Sequence, residues 1–404
     1  MRISTANLFD ASIANLQRRQ QALLQQQTQL TSGKRVAQAS DDPTGAARAE
    51  RALASMGRVD ANQRALEASR NSMTLGESAL GDANELLQQA RETMIAAGNA
   101  SYSDAERVSL ANKLQGIRDQ LLAIANRPDG AGGYLFSGQG SANPPFLDQA
   151  GGVSFVGVAG NVQTGNIDSF QLSIDGRVTW EQARSGNGSF VTEAGNNSID
   201  PSRPAMGWID AGRVSDPSLL TGQNYRIDIS GTAPAQTYTV TNLDTGAGVA
   251  SGDYAGGQAI SFDGISVAIS GTPADGDNFS IEPATNTLKV FDVLDRAIGE
   301  LKTPERNGAQ IAQSNNGRLR DIDAVMGNLQ NMRSVVGERL NNLDGTESRL
   351  AALKQYSTEE KSAAEDLDMV QGIANFQNQQ TGYQTALQTY AMVQRMSLFQ
   401  YISG

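Results

Sequence analysis

The chain contains neither cysteine nor histidine in its 404 residues. Lack of cysteine removes disulfides, zinc-thiolate sites and thiol nucleophiles. Lack of histidine removes Ser-His-Asp triads, most transition-metal sites and the commonest general base. Only carboxylate or lysine chemistry is left to an enzyme. A cysteine-free chain also suits export in an unfolded state, since it cannot become cross-linked on the way. Aromatic residues are scarce at 5%, and with 39% hydrophobic residues the composition favours long amphipathic helices plus polar β structure over one large core. Basic residues number 32 against 43 acidic, a net charge of -11, so nucleic acid and anionic membranes are not expected partners. No apolar run approaches the roughly 18 to 20 residues of a membrane helix, and no membrane insertion is expected. The opening, Met1 to Asn15, lacks the apolar centre of a cleavable signal, which points to a cytosolic protein or one exported without cleavage.

Proline and glycine are unevenly spread. Ten of the eleven prolines lie between Pro128 and Pro304, and 26 of the 42 glycines lie between Gly130 and Gly276. The outer segments are therefore free to form long helices, and the middle is not. At the N-terminal end Phe9, Leu16, Leu23 and Leu30 recur every seven residues, with Ala6, Ile13, Gln20 and Gln27 three positions before each. This is a coiled-coil seam with a polar half. Thr31-Ser32-Gly33 interrupts it, and Ser40-Asp41-Asp42-Pro43 reads as a helix restart with an aspartate cap and proline at the first helical position. Val59, Leu66, Met73, Leu80, Leu87 and Met94 then keep the same spacing, which predicts a helix of about fifty residues, roughly 75 Å long. The capping box from Ser103 to Glu106 begins a third helix, expected to stop near Pro128.

The C-terminal segment mirrors this arrangement. Phe291, Leu294, Ile298 and Leu301 mark one helix, and Ile322, Leu329, Val336, Leu343 and Leu350 mark a longer one. The last fifty residues shift register: Met369, Phe376, Tyr383 and Tyr390 recur every seven, interleaved with Ile373, Gln380, Leu387 and Gln394. Both ends thus carry a half-polar seam. Between about 146 and 285 the period becomes alternating, as in Tyr225-Ile227-Ile229 and in Ile260-Phe262 and Ile265-Val267-Ile269 around an Asp263-Gly264 turn. That last pattern is a β-hairpin. The expected architecture is mainly α with an inserted β domain, a long antiparallel helical bundle or coiled coil built from both chain ends plus an outward β-rich domain. The expected domains are terminal coiled-coil segments at 1–40 and 360–404, disordered in the monomer; a helical bundle at 41–145 and 286–359; and a β-rich insertion at 146–285.

The stretch Leu30-Thr31-Ser32-Gly33-Lys34-Arg35-Val36, followed by Ser40 to Ala47, resembles the N-terminal signature of flagellins and their hook-filament junction relatives. The opening Met1-Arg2-Ile3-Ser4-Thr5, the segment Gly133-Tyr134-Leu135-Phe136-Ser137-Gly138, Asn143 to Phe146, and Val336 to Asn341 are similar to the third hook-associated proteins. With Tyr383 to Leu387, the resemblance covers about the first 146 and the last 115 residues. It implies a structural adaptor of the bacterial flagellum, extracellular after type III export without a cleaved signal peptide. The partners it implies are the first hook-associated protein, flagellin, neighbouring copies in a ring and a cytosolic export chaperone.

The expected assembly interface is Phe9, Ile13, Leu16, Leu23, Leu30, Ile373, Phe376, Tyr383, Leu387 and Tyr390. Lys34, Arg35, Asp41 and Asp42 are expected at an inter-helix bend, with charge contacts to a neighbouring subunit. No catalytic, cofactor or metal residue is assigned, and no enzyme is expected. Asp41-Asp42 reads as a helix cap, not an acid/base dyad. Asp275-Gly276-Asp277-Asn278 reads as a turn, not a calcium loop. Trp180 and Trp208 read as buried anchors before a glycan platform. The competing readings are a flagellin-type filament subunit and an adhesin with a glycan-binding β domain.

Overall fold

The computed structural model describes residues 2–140, 142–165, 168–195 and 206–402, with side chains described from 10 to 392 within those ranges. Helix α1 (Arg2–Ser32) ends where Gly33 takes φ +69, the left-handed stop that glycine adopts without penalty. Helix α2 (Pro43–Ala97) starts at the proposed restart: Oδ1 of Asp42 accepts from the amides of Thr44 at 3.1 Å and Gly45 at 3.0 Å. Helix α3 (Asp104–Ala125) carries the capping box, with Glu106 accepting from the Ser103 amide at 2.7 Å, and it stops before Pro128. Helix α4 (Gly176–Glu181) is a short turn in the middle segment; α5 (Val290–Lys302), α6 (Gly308–Glu365) and α7 (Met369–Ile402) complete the helices. The 58 residues of α6 contain no proline, which is what lets them run unbroken.

The chain packs as two compact units, residues 1–64 with 346–404, and residues 65–345. The second unit holds two separate cores. One joins Met73, Leu80, Leu87 and Met94 of α2 to Leu114 and Leu121 of α3, Phe291 and Leu294 of α5, and Ile322, Leu329 and Val336 of α6. Phe136, Phe146, Phe155 and Trp180 belong to this same core, Trp180 stacking on Phe291 at 5.8 Å with Phe136 edge-on at 5.5 Å. Core packing therefore places residues 146–183 with the helices, and the expected change to a separate β domain at 146 falls inside the helical core. The reason is size. Strands β1 (Phe146–Gln149) and β2 (Gly152–Phe155) form only a two-stranded sheet, which cannot bury an apolar face alone and so lays Phe146, Val153 and Phe155 on the bundle. Arg118 locks this joint, paired with both Asp148 oxygens at 2.6 and 2.8 Å and with Asp295 at 2.6 Å.

A small β3 (Gln163–Thr164) and β4 (Phe170–Gln171) ribbon precedes the second core. That core lies between two antiparallel sheets made from β5 (Phe190–Ala194), β6 (Gly207–Ile209), β7 (Arg213–Val214), β8 (Tyr225–Ser230), β9 (Thr237–Asn242), β10 (Gly248–Asp253), β11 (Ala259–Phe262), β12 (Ile265–Gly271) and β13 (Asn278–Pro283). One sheet runs β10-β9-β8-β13-β5; the other runs β11-β12-β6 with β7 also on β12. The β11–β12 turn has Asp263 at φ 39 and Gly264 at φ 75, the two positive values its sequence predicts. Reciprocal hydrogen bonds between Ala183 and Leu288, 3.1 and 3.0 Å, close the entry and exit strands of this insertion. Trp180 is buried in the helical core, and Trp208 is half-buried on β6. Asp275 accepts from the Gly231 amide and Asp277 from the Ala274 amide, as a turn requires.

Candidate assembly surface

Within the first unit α1 and α7 pair antiparallel. A Cβ built on Gly372 would stand 3.1 Å from the Leu30 Cδ2, and one on Gly382 would stand 2.7 Å from the Arg19 guanidinium, which sets these points of the two helices against each other. The pair is too thin to cover its own stripes. Leu16, Leu23, Leu30, Phe376, Tyr383 and Tyr390 are half-buried, while Ile13, Ile373 and Leu387 remain 40%, 47% and 42% exposed. The Phe9 side chain lies outside the described residues. A groove of about 400 Å³ opens between the helices, lined by Leu16, Arg19 and Tyr390 among smaller residues. Leu24, Val370 and Met392, at 55%, 81% and 62% exposed, add apolar surface off the seam. Periodicity alone misses them because they break the seven-residue step.

The four bend residues are engaged inside the chain. Lys34 meets Glu365 at 3.2 Å; Arg35 meets Asp42 at 3.1 Å and donates to the Ala364 carbonyl at 2.8 Å. Asp41 accepts from the amides of Ala37 and Gln38, and Asp42 from those of Thr44 and Gly45. The Gly45 amide first, then the Thr44 hydroxyl and Arg35, hold the Asp42 carboxyl well below the usual carboxylate range. Backbone bonds complete the joint: Arg35 and Val36 donate to the Glu365 carbonyl, and Leu367 donates to the Gly33 carbonyl. The break between α1 and α2 is thus stapled to the break between α6 and α7. Sequence reasoning placed the first break after Leu30 and the second near residue 360, and did not foresee that the two are joined. The stripe shifts register between Leu350 and Met369, and Asp368, which accepts from the amides of Val370 and Gln371, is a helix cap ahead of an apolar run.

Three sequence profiles match. The bacterial flagellin N-terminal helical region matches residues 3–141, the bacterial flagellin C-terminal helical region residues 319–402, and the D2-like domain of flagellar hook-associated protein 1 residues 206–283. Flagellar hook-associated protein 3 of Escherichia coli K12 is 26% identical over 99% of both chains. Its namesake in Salmonella typhimurium is 37% identical over 38% of this chain, a match that spans 48% of that relative. The crystal structure of the flagellar junction protein FlgL from Legionella pneumophila superposes with a TM-score of 0.68 at 26% identity, covering 79% of this chain and all of that one. Over its whole length the chain is similar to hook-associated protein 3, and its two ends match the flagellin helical regions. The half-covered helix pair at the two chain ends is the feature that a purely intramolecular fold leaves without purpose, since exposed apolar stripes of this kind mark contact surfaces.

Proposed function

We propose that the chain is a structural subunit of the bacterial flagellum that joins the hook to the flagellin filament. The observation that carries this reading is the contrast between fully buried and half-buried stripes. Val59, Leu66, Met73, Leu80, Leu87 and Met94 are at most 2% exposed, yet no described residue of the terminal stripes is buried. Neighbouring copies supply the missing second surface, and the assembled ends form an inner coil. Its finer partners follow from the same role: the first hook-associated protein on one side, flagellin on the other, and a cytosolic chaperone that covers the C-terminal stripe before type III export without cleavage. Lys34, Arg35, Asp41 and Asp42 act as the staple that holds α1 and α7 in register for those contacts. Activity here is contact, not turnover. A flagellin-type filament subunit is the weaker reading, because the whole-length likeness is to hook-associated protein 3. The test is electron microscopy of a deletion strain: hooks retained, filaments lost and flagellin shed to the medium support the role, and retained filaments overturn it.

A further inference from the structure

Beyond the staple, the first unit pairs α2 over residues 43–64 with α6 over 346–365. Its seam is closed by small residues, Ala49, Ala52 and Ala364, with Val59 and Leu350, all buried. The two flanks of this pair differ. On one, the charges are used up inside the chain: Lys354 meets Asp60 at 2.8 Å and Lys361 meets Glu365 at 3.4 Å. On the other, a groove of about 380 Å³ is lined by Arg48, Arg51, Ser55, Leu353, Tyr356 and Glu360. Tyr356 is 61% exposed there and Leu353 43%. Arg48 and Arg51, joined one heptad after Arg51 by Arg58, are exposed and make no ion pair among the described residues. Tyrosine and arginine around a concavity are the composition of an interface anchor.

The occupant follows from charge and symmetry. Three unpaired arginines on a chain of net charge -11 are complementary to the chain itself. A ring of identical copies is built on heterologous contacts, in which one patch meets a different patch of the next copy. Such a patch exists on the opposite flank. Leu53 lies one heptad before Asp60, hence on that flank, and is 48% exposed; Glu50, three residues earlier, is exposed and without an ion pair among the described residues. The geometry points to a head-to-tail contact in which the Arg48, Arg51 and Tyr356 groove of one copy receives the Glu50 and Leu53 flank of a second copy. This inference rests on the junction reading and names the surface by which its subunits adjoin.

The absence of cysteine makes the test clean. Arg51→Cys with Leu53→Cys, and separately Ser55→Cys with Glu50→Cys, are introduced into the full chain in cells and treated with a short bis-maleimide. A ladder of covalent multimers of this chain that requires both cysteines is expected. Tyr356→Ala in either pair should reduce the ladder about tenfold, the cost of one interface anchor. Absence of a ladder from both pairs, single-cysteine variants that dimerise equally well, or linkage only to a different protein overturns the contact. Charge exchange provides a second measurement that does not depend on the reagent. Arg51→Glu and Glu50→Arg should each lower filament number, and the combined variant should recover it; failure to recover also counts against the contact. A ladder in a strain whose deletion keeps filaments would uphold the contact and sink the junction role. Loss of filaments on deletion with no ladder would do the reverse.

Discussion

The stripe from Val59 to Met94 and the stripes at the two chain ends share one spacing and have opposite fates. In the interior stripe every seventh residue is at most 2% exposed, whereas at the ends the described positions stay half-buried or exposed. Local periodicity is the same in both, so the difference lies in what surrounds the helix. Through Met73 to Met94, α2 shares a core with α3, α5 and α6; α1 and α7 pair with each other, and no described side chain of either joins that core. The composition of the ends agrees with that. Gln20, Gln27, Gln380 and Gln394 stand where a self-sufficient two-stranded coil would place Ile or Val. A heptad stripe states that a helix has an apolar side and leaves open how many partners will cover it.

The largest effect expected concerns what belongs to the interior. Replacing residues 150–282 by a Gly/Ser linker removes Val153, Phe155, Ile174 and Trp180 from the helical core and should leave the protein unfolded by circular dichroism and calorimetry. Replacing only 186–284 cuts beyond the Ala183 to Leu288 joint and should leave a folded, secreted chain that still supports filaments. Equal stability of the two deletions would show that residues 146–183 do not belong to the bundle.

Next in size is a pair of single substitutions. Leu87→Ala, at a fully buried site, should lower unfolding free energy by about 2–5 kcal/mol in urea while sparing assembly wherever the chain remains folded. Tyr383→Ala, at a half-buried site, should cost the monomer less than about 1 kcal/mol and yet abolish filament attachment. If Tyr383→Ala destabilises the monomer as much as Leu87→Ala does, the two stripes are equivalent and the comparison fails.

Hydrogen exchange on the monomer sharpens the same contrast. Ordering about seventy-five terminal residues costs on the order of 75–150 kcal/mol of backbone entropy, and one half-polar seam is a weak offset. Both ends are expected to exchange within seconds and to be trimmed by protease to a core of residues 40–360, while amides from Met73 to Met94 exchange slowly. Slow exchange across Leu16 to Leu30 and Phe376 to Tyr390 in a verified monomer would show that the ends pair unaided.

Elements with a strong period or a local stop signal were legible in the sequence, and joints between distant segments were not. The Asp42 cap with Pro43, the Ser103 capping box and the Asp263-Gly264 turn are written in adjacent residues, so each appears where its chemistry requires. Strand β10, Gly248–Asp253, has neither an alternating apolar pattern nor bulky residues; its pairing with β9 is supplied by its neighbour. Placement of Trp180 against Phe291 depends on residues 111 positions apart, and no short window contains it. The candidate site divides in the same way. The seam residues are readable from spacing, whereas the staple joins Lys34 and Arg35 to Ala364 and Glu365 across most of the chain.

The smallest effect belongs to that staple, where local and distant contacts meet in one carboxylate. Asp42 caps α2 through the Thr44 and Gly45 amides and also pairs with Arg35, which in turn holds the Ala364 carbonyl. Arg35→Glu alone places two carboxylates side by side and releases Ala364; Asp42→Lys alone loses the cap and faces Arg35 with a like charge. Their combination restores one attraction and leaves the cap empty. The double variant should therefore be less defective in assembly than the sum of the single variants, though not wild type; strict additivity would show that Arg35 and Asp42 do not act together. The pH dependence separates the two roles. Because the Asp42 carboxyl is held below its ordinary range when folded, the stability it lends is complete above the unfolded carboxylate pKa and is lost as pH falls through the lower folded value. Protection of the Thr44 and Gly45 amides, corrected for intrinsic exchange, should accordingly fall on acidification below about pH 4, where free carboxylates begin to protonate. Asp42→Asn, which keeps an accepting oxygen without the charge, should flatten that decline while retaining part of the cap. An unchanged acid profile in Asp42→Asn would assign the decline to other carboxylates and reduce Asp42 to a neutral cap.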